Sequence, residues 1–98
     1  MRMFSPEQEE AVYLLLKERR DQDAKWGEQN HAPEWWLAIL MEEVGELAQA
    51  ILETHFKNPD GSPHGGAVNI QKEAVQCAAV ALALVEYLNR NDATREGA

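Results

Sequence analysis

Between Ala74 and Val85 the chain reads AVQCAAVALALV, with Gln76 as its one polar side chain. The run shows no alternation of apolar and polar residues, so it does not describe a half-buried strand. As a helix it is apolar nearly all round, which a helix lying on a protein surface is not. This element must therefore be central. Asn69 is a plausible cap for it, and the pattern carries it from there to about Arg90. With 98 residues the chain holds too few helices to wrap such an element by itself. The expectation is an all-α fold: three main helices per chain, with helices two and three of neighbouring copies completing a four-helix-bundle core in a homo-oligomer.

The other two helices are marked by their ends. Ser5, Pro6 and Gln8 form a start signature: a hydroxyl cap, a proline whose missing N–H costs nothing in the first turn, and an amide three residues after the cap. Helix one runs from there to Gly27, with Val12, Leu15 and Leu16 on a stripe that turns polar through Arg19 and Asp23. GEQNHAP is a connector, Pro33 opens helix two, and that helix is expected over residues 34 to 56. KNPDGSPHGGAV reads as an exposed loop containing His64, with His55 also in loop surroundings. The whole chain, residues 1 to 98, reads as one domain, with residues 91 to 98 as a frayed tail.

A formal net charge of -8 disfavours a binder of nucleic-acid polymers or of anionic membranes, because both need a basic footprint. If this protein handles phosphates, a cation must mediate. No run is long and apolar enough to span a bilayer and the start carries no apolar leader, so the expected location is cytoplasmic. Cys77 lies within the apolar run and reads as a small buried hydrophobe.

Against this background MEEVGE, residues 41 to 46, is anomalous: three carboxylates sit within a helix that is otherwise apolar. Successive helical residues turn by about 100°, so Glu43 and Glu46 lie roughly 60° apart on neighbouring turns and converge. Glu43 borders the apolar face formed by Trp36, Leu40, Leu47 and Ile51, whereas Gly45 falls on the opposite side. Glu42 and Glu53 fit a solvated face. Helix three repeats the spacing with Glu73 and Gln76, on a face continued by Cys77, Val80, Leu84 and Tyr87. If helices two and three are antiparallel neighbours, three carboxylates and an amide oxygen meet. Such a hard oxygen cluster suits Mg²⁺, with Mn²⁺ as the substitute, and not zinc. The competing reading pairs Glu73 with a dedicated basic residue, for which Arg19 is the best candidate.

E-V-G-E at Glu43 to Glu46 followed by E-A-V-Q at Glu73 to Gln76, with the lead-in KWGEQNHAPEWWLAILMEEVGELAQAIL, resembles the ExxE…ExxD signature of MazG-like all-α nucleoside triphosphate pyrophosphohydrolases. The resemblance covers roughly Asp21 to Leu88. It implies a magnesium-dependent conversion of NTP or dNTP to monophosphate and pyrophosphate, a house-cleaning role in the nucleotide pool, and assembly as a homodimer or homotetramer. It also implies that Glu43, Glu46 and Glu73 hold the metal. At the fourth position Gln76 replaces the aspartate, a neutral ligand that cannot act as a base.

For this chemistry Glu46 or Glu42 is the expected proton acceptor, and the residues leave the choice between them open. Arg19, Lys25 and Lys72 are placed to bind phosphate, although an ordinary surface charge is the competing reading for each. Trp26, Trp35 and Trp36 offer stacking faces, with Trp26 favoured for ligand contact and Trp36 for the core. Gln29, Asn30 and His31 offer edge contacts from the connector. Gln76 also supports an expectation of another class: a helical oligomer that binds nucleotide or a protein partner without turnover.

Overall fold

The computed structural model describes residues 3–56 and 67–91, and among them every regular element is helical. Helix α1 spans Pro6–Trp26, α2 Pro33–His55 and α3 Ala67–Arg90. The expected loop between α2 and α3, with His64, and the expected tail beyond residue 91 lie outside the described residues.

The α1 start is the capping box that its residues predict. Ser5 Oγ accepts from the Gln8 backbone N–H at 3.1 Å, and Gln8 Oε1 accepts from the Ser5 N–H at 2.8 Å. At the other end Gly27 has φ 74°, in the left-handed region where glycine has no side-chain penalty, and its N–H bonds to Asp23 O at 2.8 Å. Pro33 opens α2, but its cap, Ala32, has no side chain to offer the first turn. Two expected boundaries move. Asn69 lies inside the first turn of α3 and does not cap it, since the helix already begins at Ala67. His55 is the last residue of α2, its ring edge-on to Phe56 at 5.3 Å, and not a loop residue.

Helix α3 is the central element, packing against both α1 and α2, which do not pack on each other. Trp36 near the start of α2 packs with Val80, Ala83 and Tyr87 late in α3, while Glu43 and Glu46 approach Glu73 near its start. The two helices therefore run antiparallel. Helix α1 runs in the same sense as α3: Ala11 and Leu15 line one groove with Ala74 and Ala78, and further on Arg19 reaches Glu86.

Small residues allow the close approach. Ala50, Ala79 and Ala83 are buried along with Val80 and Trp36, and Trp36 is 2% exposed. Its indole meets the His31 ring at 5.0 Å, edge-on, and the Tyr87 ring at 6.1 Å. Trp36 is thus the core residue expected of it, and Cys77 is half-buried and free.

Much apolar surface remains open. Val12 and Leu16 are exposed because α2 does not reach α1, so the expected α1 stripe is covered only at Leu15, and Ile51 is likewise exposed. On the outer side of α2, Leu37, Met41, Val44, Ala48 and Ile51 follow one another at alternating steps of four and three residues, all exposed. That is the spacing of a seam between helices. A side chain at Gly45, beside this seam, would meet nothing, so this flank of α2 is open. No described helix is long and apolar enough to cross a membrane.

Candidate functional site

The antiparallel pairing of α2 and α3 brings the two acid pairs to one place. One carboxylate oxygen each from Glu43, Glu46 and Glu73 lies within 4.8 Å of the others. Glu46 is exposed, whereas Glu43 and Glu73 are half-buried, and Oε2 of each is buried without a hydrogen-bond partner. A buried carboxylate oxygen without a donor is costly. Burial pushes the Glu43 carboxyl above the usual range, and the charges of Glu46, Glu73, Glu42 and Glu18 push it further the same way.

Arg19 does not relieve this cluster. Its guanidinium donates to Glu86 from Nε at 2.7 Å and from Nη2 at 2.8 Å, to Asp23 at 3.0 Å and to Gln22 at 3.0 Å. The competing reading, in which Arg19 is the basic partner of Glu73, is therefore corrected. The physical reason is register: α1 runs parallel to α3, so Arg19 lies beside the far end of α3 from Glu73. Glu86 holds the Arg19 pKa well above its ordinary value, and the Arg19 hydrogen bond holds Glu86 below the usual carboxylate range. Among the described residues, no lysine or arginine forms an ion pair with Glu43, Glu46 or Glu73.

Where α1 and α2 stand apart, a cavity of about 450 Å³ opens between them. Val80 and Ala83 of α3 form its floor, Trp36 and Ile39 one wall, and Arg19 and Trp26 the facing wall. Connector residues from Gly27 to Gln29, with His31, close one side, and Glu43 belongs both to the cavity wall and to the acid cluster. The Trp36 indole N–H is a buried donor with no partner among the described residues.

The expected site residues divide accordingly. Glu43, Glu46 and Glu73 converge, while Arg19, Trp26, Gln29, His31 and Trp36 line the cavity. Gln76 is half-buried one turn beyond Glu73 on α3. Glu42 is exposed and stands outside the cluster. Lys25 and Lys72 are absent from the cavity lining: the Lys25 ammonium sits 4.7 Å from the Trp26 ring centroid, and Lys72 lines a separate shallow depression with Glu18 and Asp21. Asn30 is held within the connector, donating to Glu28 at 3.2 Å and accepting from Arg90 at 3.1 Å. Trp35 is exposed away from the cavity.

Two residues not singled out in the sequence matter here, Glu86 and Arg90. Neither has a local signal, because each acts on a segment some sixty positions away. Compared with protein-family models, with curated proteins and with solved structures, the chain gives no match.

The acid cluster has the donor set that a hard cation takes: oxygen atoms, two of them buried and unsatisfied, with no lysine or arginine paired to them among the described residues. Neighbouring oxygens around a magnesium ion lie about 3 Å apart, so the three carboxylates would have to draw together to hold one. In donor chemistry, though not in spacing, the three carboxylates fit a hard cation.

Proposed function

We propose that this protein is a magnesium-dependent nucleoside triphosphate pyrophosphohydrolase of the MazG-like kind, working in the cytoplasmic nucleotide pool as a homo-oligomer. The observation that carries the reading is the dual position of Glu43, shared by a three-carboxylate cluster and by the wall of an aromatic-lined cavity. That cavity falls within the range of about 300–1,000 Å³ common for small-molecule sites. It accommodates the nucleoside, and the triphosphate extends over the acids.

In this reading Glu43, Glu46 and Glu73 hold magnesium, Mn²⁺ substitutes, and the Gln76 amide oxygen adds a neutral ligand. When bound, the ion supplies charge neutralisation and Lewis acidity toward triphosphate oxygens. Water attacks the α-phosphorus, the bond to the bridging oxygen breaks, and pyrophosphate leaves. Glu46 is the better proton acceptor because it belongs to the cluster, whereas Glu42 stands outside it. Arg19 and Arg90 are already paired with acids, so phosphate charge falls mainly to the ion. The exposed seam from Leu37 to Ile51 supports assembly, since a partner helix there would cover apolar side chains that a single chain leaves in water.

The test is incubation with a panel of NTPs and dNTPs in Mg²⁺, reading monophosphate and pyrophosphate. Release of both from at least one nucleotide, abolished by EDTA, is the expected result. Tight nucleotide binding without products would instead favour the reading in which Gln76 has cost the site its chemistry.

A further inference from the structure

The connector from Glu28 to His31 walls the cavity but has no regular structure of its own. It begins at Gly27, whose positive φ makes a ready pivot, and ends before Pro33. Among the described residues, the only backbone bond joining residues 28 to 31 to another segment comes from α3. Arg90 Nη2 donates to Gln29 O at 3.0 Å. The same guanidinium donates to Asn30 Oδ1 at 3.1 Å, and its Nε lies 3.2 Å from Glu28 Oε1. One side chain at the end of α3 thus holds three consecutive connector residues. Its Nε and Nη2 are already engaged, which leaves it poorly placed to serve as a free anion receptor.

We infer that Arg90 is a positioning residue: it holds the 28–31 segment as a wall of the cavity and thereby sets the affinity for the nucleoside part of the ligand. The assignment of a nucleoside rests on the function proposed above; the holding of the connector does not. Without the guanidinium, the segment pivoting at Gly27 loses its tie to α3; the His31–Trp36 ring contact and the Pro33 start still attach it, while the Asn30–Glu28 and His31–Gln29 contacts are internal to it. Lysine retains the charge but offers a point donor where the planar fork bridges three acceptors, so it restores only part of the effect.

The experiment compares the wild-type full chain with Arg90→Ala and Arg90→Lys. Backbone ¹⁵N order parameters should fall at residues 28 to 31 in Arg90→Ala while those of α2 and α3 stay high. Binding of α,β-methylene dNTP analogues with Mg²⁺ should weaken on the order of tenfold, with Arg90→Lys intermediate. In steady-state assays KM should rise with kcat unchanged. Unchanged order parameters at residues 28 to 31 overturn the positioning role, even if affinity falls, because a direct ligand contact would do that. Lowered order parameters with unchanged affinity overturn the link to binding. If no analogue binds the wild type, the nucleotide reading fails and the link to affinity falls with it, and the order parameters still decide whether Arg90 holds the connector.

Discussion

Arg19 joins α1 to α3 by gripping Glu86 with two parallel bonds, Nε to Oε2 at 2.7 Å and Nη2 to Oε1 at 2.8 Å. The arginine is nearly buried and the glutamate about one-third exposed. Such a fork-to-fork pair is directional as well as attractive, and it fixes the register of α1 on a helix whose neighbouring surface is mostly alanine and valine. It also forms part of the cavity wall.

Removing this arginine while keeping its bulk, as Arg19→Met, leaves Glu86 without its donor. The expected cost is about 1–3 kcal/mol at neutral pH, below the range for fully buried pairs because water screens Glu86. The Glu86 carboxyl is lowered in the folded chain, so the stability it contributes is present above the ordinary carboxylate range and is lost as pH falls through its lowered pKa. Urea titrations of both proteins should therefore converge toward acid pH. A gap that persists there would mean the arginine acts through packing alone.

The opposite sign applies at Glu43. Its pKa is raised by burial and by neighbouring acids, so in the metal-free chain its contribution is favourable below the ordinary carboxylate range and is lost as pH rises through the raised value. In EDTA, Glu43→Gln should have a higher Tm than wild type near pH 7, with the difference shrinking as pH falls. Adding Mg²⁺ should raise the wild-type Tm and leave the variant's unchanged, and turnover of the variant should drop by about a hundredfold or more.

Gln76→Asp tests the fourth ligand position. A fourth carboxylate beside Glu43, Glu46 and Glu73 should improve metal half-saturation about tenfold and raise turnover, while lowering Tm in EDTA through added repulsion. Isothermal titration with Mn²⁺ and thermal melts together separate the two effects.

Trp36 anchors the α2–α3 core, and Trp36→Ala should cost about 3–5 kcal/mol in denaturant titrations. Trp36→Phe should cost less, about 1–2 kcal/mol, because the phenyl ring refills most of the volume and the indole N–H it removes has no partner among the described residues. If that N–H meets an acceptor on the bound nucleoside, the phenylalanine variant will also show a raised KM.

The outer seam of α2 predicts assembly. Leu37→Lys and Met41→Lys place charge on side chains that are exposed in the single chain, where such changes move stability by only about 0.5 kcal/mol. Sedimentation should show wild type as an oligomer and the double variant shifted toward monomer.

Helix identity and most helix ends were local matters. Ser5 and Gln8 cap α1 through bonds to each other, Pro6, Gly27 and Pro33 begin or end helices through their own backbone preferences, and the apolar run from Ala74 to Val85 marks the central helix. Within a helix, spacing also determines that Glu43 approaches Glu46 on one side. Asn69 misled because a capping residue type is a weak signal and helix ends shift by one or two residues from where it points.

What no local rule could assign was which helix face meets which, and in what register. The antiparallel pairing of α2 with α3 brings Glu73 to Glu43 and Glu46; the parallel pairing of α1 with α3 sends Arg19 to Glu86 instead. Arg90 reaches the connector for the same reason. These partners lie tens of residues apart in the chain, and their distances depend on how alanine-rich surfaces fit together, a property of the packed helices and not of any stretch of sequence.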